Sequence, residues 1–344
     1  MPKKVCVVIT ARPSYSRVRS ALVALRVRGA ELQIVAAASA VMTRFGRIVD
    51  QIRADGFEVA AEVSSVVEDD NLANSALSTG LLLTQLAGLF QRLRPGVVVT
   101  IADRHETLAT AIAASYQNIP LCHLQGGEVT GSIDDRVRDA VTQLADLHCV
   151  ATERAAERVA SMRPRARVEV VGCPSIDLAA EALRLGPMGG VSAVVLQHPV
   201  TNEVGQAAEQ MRTTIEAVGA EALYLWPGEG AGSSAMSKEL RLAGVSPVRN
   251  LPPLDFVRIL LGAKVLVGNS SVGIRECSFL GVPVVNIGSR QRDREQGPNV
   301  MDVPHDAAAI VATIARQKQR RRYQVSTLYG DGYAGARIAG ILMS

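Results

Sequence analysis

The sequence predicts an α/β protein built from two Rossmann-like halves. Short runs rich in Val, Ile and Leu alternate with longer segments of helical period, the pattern of parallel sheets covered by helices. That alternation occurs twice, in two series that meet near Gly172-Cys173-Pro174. Several of the apolar runs also end in loops of charged and hydroxyl residues, where open parallel sheets bind their ligands.

The first series places strands near Val5 to Thr10, Leu32 to Ala38, Phe57 to Val63, Val97 to Asp103, Pro120 to Leu124, His148 to Thr152 and Val168 to Val171. Helices fill most gaps. The stretch after Asn71, with Leu77, Leu81, Leu82, Leu83, Leu86, Leu89 and Phe90, predicts the clearest long amphipathic one. The second series places strands near Ala193 to Gln197, Ala222 to Trp226, Val265 to Val267 and Pro283 to Ile287. The expected domains are therefore 1–172 and 173–328. In the last segment, 329–344, Ala334, Ile338 and Ile341 form a helical face that can pack back on the first domain.

With 344 residues, 48% of them hydrophobic, the chain is long enough for two ordinary domains and too apolar for a mostly disordered protein. A formal charge of +4 suits a small anion such as a phosphate better than a polymer, so no nucleic-acid partner is expected. The run around Arg320 to Arg322 lacks an aromatic platform and reads as a solvated helix face or a junction segment. Cys6, Cys122, Cys149, Cys173 and Cys277 lie far apart without a Cys-x-x-Cys, which predicts neither disulfide nor zinc site. The apolar run in MPKKVCVVITARPS ends before Arg12, too soon for a signal sequence, and no charge-free stretch reaches spanning length. A cytoplasmic protein with no membrane partner is expected.

Five strand-end segments carry candidate chemistry. After the first strand, Arg12, Ser14, Ser16 and Arg17 form a polar loop before a helix, where an anion or plain solvent would suit them equally. The loop lacks Gly-x-Gly-x-x-Gly, so no dinucleotide cofactor is expected. In VVVTIADRHETLATAIAASY, Asp103 sits at the strand tip with Arg104 and His105 beside it, and Glu106 reads as a helix-start carboxylate complementing the dipole.

In PLCHLQGGEVTGSIDDRVRDAVTQL, Gly126 and Gly127 allow close backbone approach, and Glu128 and Asp134 are placed for acid and base work. Asp134 and Arg138 are four apart on one helical face, so Arg138 is either a substrate contact or half of a surface ion pair; Asp135 reads as solvated. His198, at a strand end before Pro199, is suited to moving a proton or contacting a phosphate. The strongest local signal is VLVGNSSVGIRECSFLGVPVVNIGSRQRDRE, in which Ser270 and Ser271 start a helix and can bind phosphate oxygens. Glu276 has the acceptor geometry for two vicinal hydroxyls. Arg290, Arg292 and Arg294 can flank an anion, with a solvated loop the default for at least two of them.

The blocks ADRHETLATAIAASYQNIPLCHLQGGEVTGSIDDRVRDAVTQLADLH, VVGCPSID, QHPVT, GNSSVGIREC and GVPVVNIGSRQ, in that order, resemble the UDP-N-acetylglucosamine 2-epimerase family, and its hydrolysing branch in particular. The resemblance spans nearly the whole chain. It implies a glycosyltransferase-B-like fold with two Rossmann-like domains facing a cleft, in a homodimer or homotetramer, with a UDP-sugar as substrate and UDP as product. Carried over, Ser270 and Ser271 hold the diphosphate, Glu276 the ribose, and His198 and Arg290 the phosphate region, with Arg12, Ser16 and Arg104 reaching in from the first domain. Asp103, Glu128 and Asp134 match the catalytic carboxylates, and no metal is implied for the chemistry.

The implied reaction removes the C2 proton and expels UDP from C1, leaving a 2-acetamidoglucal. Water then adds at C1 and a proton returns to the other face of C2, giving N-acetylmannosamine. Ala102, Ser14 and Gly228 stand where the family usually carries Gly, Asp and Asn. Ser14 and Gly228 keep open a non-hydrolysing outcome or a different UDP-2-acetamido sugar, such as a bacillosamine derivative. A glycosyltransferase or an inactive nucleotide-sugar binder shares the fold, but the retained carboxylates argue against both.

Overall fold

A computed structural model describes residues 3–67, 72–131, 133–228, 230–249, 251–320 and 322–344; Asn71, expected just ahead of the long helix, and Arg321 of the basic run lie outside them. Contacts divide the chain into two compact units, the first comprising 1–128, 134–177 and 330–344, the second 129–133 and 178–329.

In the first unit, β1 (Lys4–Ile9) leads into α1 (Arg12–Ser16) and α2 (Arg19–Val27). Then follow β2 (Glu31–Ala37), α3 (Ile48–Ala54), β3 (Val59–Val63), α4 (Leu72–Leu93), β4 (Val97–Ile101), α5 (His105–Ser115) and β5 (Leu121–Leu124). After these come α6 (Ile133–Leu144), β6 (Leu147–Val150), α7 (Glu153–Met162), β7 (Arg167–Val170) and α8 (Pro174–Leu185), which carries the chain into the second unit. The strands form one parallel sheet in the order β3-β2-β1-β4-β5-β6-β7. Alternate residues of one strand feed opposite cores, as the period of two requires. Val5, Val7 and Ile9 pack with Leu22, Leu25 and Ile52 on one face, while Cys6 and Val8 pack with Leu82, Leu86 and Phe90 on the other. Truncating one such residue, Leu86 for example, costs roughly 2–5 kcal/mol.

The second unit contains β8 (Val194–Leu196), α9 (Ala207–Val218), β9 (Leu223–Tyr224), α10 (Ser233–Leu242), α11 (Pro253–Gly262), β10 (Leu266–Gly268), α12 (Ser271–Ile274) and α13 (Glu276–Leu280). It continues with β11 (Val284–Ile287), β12 (Val300–Val303) and α14 (Ala307–Gln319). Its parallel sheet has the order β12-β11-β10-β8-β9 around a core of Val195, Val267, Val285, Ile287 and Ile310. In both sheets the strand order reverses once, between β1 and β4 and between β8 and β10, and such reversals open a crevice at the carboxyl ends.

The final helix, α15 (Ala334–Met343), belongs to the first unit and packs on α2 with Ala334, Ile338, Ala339 and Leu342 buried. Its first turn is capped from a distance. The Asp177 carboxylate accepts from the N–H groups of Ala334 (2.9 Å) and Gly335 (2.7 Å).

Four expectations need correction. Leu77 and Leu81 are exposed, because the buried stripe of α4 runs through Leu82, Leu86, Leu89 and Phe90. Phe57 lies before β3 in a loop, where the Arg26 guanidinium stacks 4.5 Å from its ring. Strand β12 has no counterpart in the sequence reading, since VMDV is short, half exposed and follows Gly297-Pro298-Asn299. In the basic run, Arg322 donates to the carbonyls of Leu261 and Ala263 at the end of α11, favourable for a cation at a helix C-terminus.

Candidate active site

At the tip of β4 in the first unit, Ala102 adopts a left-handed conformation, φ 66°, that turns the chain so Asp103 follows the strand directly. Asp103 is buried and forms an ion pair with Nη2 of Arg138, which is fully buried on α6. The other arm, Nη1, donates to Asp135 Oδ1 at 2.6 Å and to the Glu128 carbonyl at 2.5 Å. Burial alone would lower the Arg138 pKa, but the charges of Asp103 and Glu128 outweigh it and hold the guanidinium above its ordinary range. One buried cation thus ties together the tip of β4, the loop after β5 and the start of α6. Asp134 lies at that same helix start, half-buried.

This arrangement corrects one reading: Asp135, expected in solvent, is the helix partner of Arg138 at i,i+3. Arg138 is fully buried, with both arms of its guanidinium on Asp103, Asp135 and the Glu128 carbonyl.

Arg104 lies beside Asp103 and is braced by Glu106, with Nη2 to Oε1 at 2.8 Å. Glu106 is fully buried and is more than a dipole-complementing residue. Burial would raise its pKa, but the charges of Arg104 and His105 dominate and bring it down to about 2. After β1, the helix begins at Arg12 itself, so Arg12, Ser14 and Ser16 lie in α1 and not in a loop. Arg12 Nη2 donates to the Phe45 carbonyl at 3.0 Å, and Ser16 Oγ to the Arg12 carbonyl at 3.4 Å. Ser14 is buried, 3.5 Å from the Thr10 hydroxyl.

In the second unit, the tips of β8 and β10 are joined through Asn269. Its Oδ1 accepts from the His198 N–H at 2.7 Å and its Nδ2 donates to the His198 carbonyl at 2.8 Å. The Asn269 carbonyl accepts from Arg290 Nη1 at 3.1 Å and from Gln291 Nε2 at 2.9 Å. The turn leading into Ser270 and Ser271 is therefore held from three directions. Ser270 caps α12, accepting from the Val272 N–H at 3.4 Å, and Ser271 opens the helix. Glu276 opens α13 and is largely buried. Of the remaining arginines, Arg292 is exposed and Arg294 buried, so a solvated role fits only the former.

The imidazole of His198 has a defined tautomer. The Gly228 N–H donates to Nδ1 at 2.9 Å, which places the ring proton on Nε2. A Cβ at residue 228 would lie 2.9 Å from that same Nδ1, so the close approach requires glycine.

Residues 24–343 match the sequence profile of a family described as UDP-N-acetylglucosamine 2-epimerase. The chain belongs to this family. It is 29% identical, over 99% of its own length and 96% of the relative's, to the hydrolysing UDP-N,N'-diacetylbacillosamine 2-epimerase of Legionella pneumophila. It is also 25% identical, over 88% of this chain and 84% of the relative, to the UDP-N-acetylglucosamine 2-epimerase of Neisseria meningitidis. Among solved structures, the Methanocaldococcus jannaschii UDP-GlcNAc 2-epimerase in complex with UDP-GlcNAc and UDP shares the fold, with a TM-score of 0.82 at 16% identity over 98% of this chain and 99% of that one.

Within this epimerase-family chain, Asp103, Glu128 and Arg138 gather at the carboxyl ends of the first unit's strands, with Arg104 adjacent and Asp134 in the first turn of α6, while His198, Ser270, Ser271 and Arg290 lie at the strand ends of the second unit. The sequence reading does not single out Asn269, which lies inside the Gly268-Asn269-Ser270-Ser271 turn, and the signal for the pairing of Asp135 is its i,i+3 spacing to Arg138. Among the described residues, no three His, Cys, Asp or Glu side chains are grouped to hold a metal ion, and no helix is long and apolar enough to cross a membrane.

Proposed function

We propose that this enzyme is a hydrolysing UDP-N-acetylglucosamine 2-epimerase, converting its substrate to N-acetylmannosamine and UDP. The observation that carries the reading is the buried Arg138 with Asp103, Asp135 and the Glu128 backbone around it, because it fixes carboxylates at a strand tip without neutralising them by protonation. Asp103, Glu128 and Asp134 are assigned to proton transfer at C2, with Arg12, Ser16 and Arg104 as sugar- and phosphate-directed contacts of the first unit.

In the proposed reaction a carboxylate takes the C2 proton, the electron pair forms C1=C2, and the C1–O bond breaks to release UDP. Water then gives its oxygen to C1 and a proton to a carboxylate, while a carboxylic acid delivers a proton to the opposite face of C2. Charge growing on the leaving diphosphate is met by the Ser270 and Ser271 hydroxyls, the N–H groups of α12, Arg290 and the Nε2–H of His198, and Glu276 holds the ribose. Homodimer or homotetramer formation belongs to the same proposal and is checked by light scattering.

A second reading has one observation in its favour: the Legionella pneumophila relative that matches nearly end to end is named for UDP-N,N'-diacetylbacillosamine. Product analysis across a panel of UDP-2-acetamido sugars separates the two. Release of free N-acetylmannosamine from UDP-N-acetylglucosamine at the highest kcat/KM supports the first. Preference for the diacetylated sugar replaces it with the second, and formation of UDP-N-acetylmannosamine contradicts hydrolysis in either case.

A further inference from the structure

We propose that His123 is a positioning residue for Asp103, acting through the carbonyl of Ala102; the inference rests on the catalytic reading of Asp103 given above.

His123 lies on β5, fully buried, one strand away from the turn that presents Asp103. Its Nε2 is 2.9 Å from the Ala102 carbonyl oxygen. A carbonyl only accepts, so Nε2 carries the proton. Nδ1 is then an acceptor, and the Thr142 hydroxyl, 3.3 Å away on α6, is its donor. Burial holds the imidazole pKa down at about 4, so the ring stays neutral and offers one donor and one acceptor.

That donor is directed at the strained part of the chain. Ala102 is a non-glycine residue at φ 66°, a strained conformation that persists only where the surroundings impose it. Two hydrogen bonds do so here. The Ala102 N–H donates to the Leu124 carbonyl at 2.9 Å, and the Ala102 carbonyl receives His123. Because the latter carbonyl belongs to the peptide joining Ala102 to Asp103, fixing it fixes where the Asp103 backbone starts. The side chain is then held at its other end by Arg138. Helix α6 thus reaches Asp103 twice, through Arg138 to the carboxylate and through Thr142 and His123 to the backbone. The neighbouring sequence makes room for the ring: a Cβ on residue 126 would sit 2.9 Å from Nδ1, and residue 126 is glycine.

The test compares His123→Gln with His123→Asn. The glutamine amide nitrogen reaches as far from Cβ as imidazole Nε2 and retains the donor to Ala102, whereas that of asparagine reaches only as far as Nδ1. The expected result is a fall in kcat of about 100-fold in His123→Asn with KM nearly unchanged, as for a misplacement near 1 Å. His123→Gln is expected to stay within about fivefold of the parent. A residue that merely fills space would lower melting temperature in both variants and leave the kcat of the folded fraction alike.

Thr142→Val, which keeps the shape and removes the donor to Nδ1, provides a milder second variant with kcat reduced about fivefold. Nitrogen-15 NMR of the imidazole in the unmodified enzyme reads the tautomer independently of activity. An Nδ1–H tautomer overturns the inference. So does a His123→Asn enzyme with parental kcat while Asp103→Asn is inactive. If Asp103→Asn is itself fully active, the functional reading fails and this inference falls with it, so the two failures are told apart.

Discussion

The strand-tip crevices of the two sheets are built from different materials. In the first unit, side-chain charges are clustered and held by one buried cation, Arg138, which has no exposed surface. In the second, a neutral amide, Asn269, organises backbone groups and one hydroxyl turn, and the arginine that approaches, Arg290, binds its carbonyl. A proton-transfer group must keep its charge and its position at once, and a buried guanidinium supplies both. An anion-binding turn needs its N–H and O–H groups pointing outward, and an amide clamp achieves that without placing a competing negative charge nearby. The difference suits the proposed function, in which the first crevice carries the chemistry and the second holds the nucleotide.

That division of labour is open to direct attack. The largest effect is expected from Asp103→Asn, where kcat should fall about 1000-fold. UDP affinity, read by calorimetry, should stay within about twofold. A comparable loss of UDP binding would break the assignment.

Arg138→Met tests the cation itself. It takes the shared buried cation away from Asp103 and Asp135, so denaturant unfolding should show a loss of roughly 3–5 kcal/mol. An unchanged midpoint would mean that those carboxylates reach water or another cation.

Asn269→Ala should show the opposite pattern. UDP binding weakens about 30-fold as the β8–β10 clamp is lost, near 2 kcal/mol. At saturating substrate kcat should change little.

The smallest effect concerns acid stability. Glu106 ionises at about 2 in the folded chain against an ordinary 4.5. Its folded pKa is depressed, so its pairing with Arg104 contributes stability that is present above about pH 4.5 and is lost as pH falls towards 2. Glu106→Gln should flatten the dependence of unfolding free energy on pH in that window, and an unaltered slope would remove Glu106 as the brace of Arg104.

Much of this was legible in the amino-acid sequence. The apolar runs that became β1, β4, β5, β8, β10 and β11 are short, bounded by polar turns and rich in β-branched residues, and their ends marked the two crevices. The chemistry-bearing types at those ends, Asp103, Glu128, His198, Ser270 and Ser271, were likewise visible as exceptions to the apolar pattern. What stayed hidden was which polar groups turn inward. Arg138 and Asp135 look like surface residues on a helix because nothing local says that Asp103, 35 positions earlier, supplies the counter-charge. Glu106 reads as a dipole-complementing carboxylate because spacing does not show that its side chain turns inward onto Arg104, and His123 stays unmarked because its partners, the Ala102 carbonyl and Thr142, lie on other elements. The short β9 falls inside the run expected from Ala222 to Trp226, whereas the four-residue, half-exposed β12 lay beyond periodicity, since so few residues carry no period.

The central claim is proton chemistry at C2 with loss of UDP from C1. Incubating the enzyme with UDP-N-acetylglucosamine in heavy water and following the products by NMR tests it directly. The account predicts UDP together with N-acetylmannosamine that carries deuterium at C2; retention of protium at C2 in every product would contradict it.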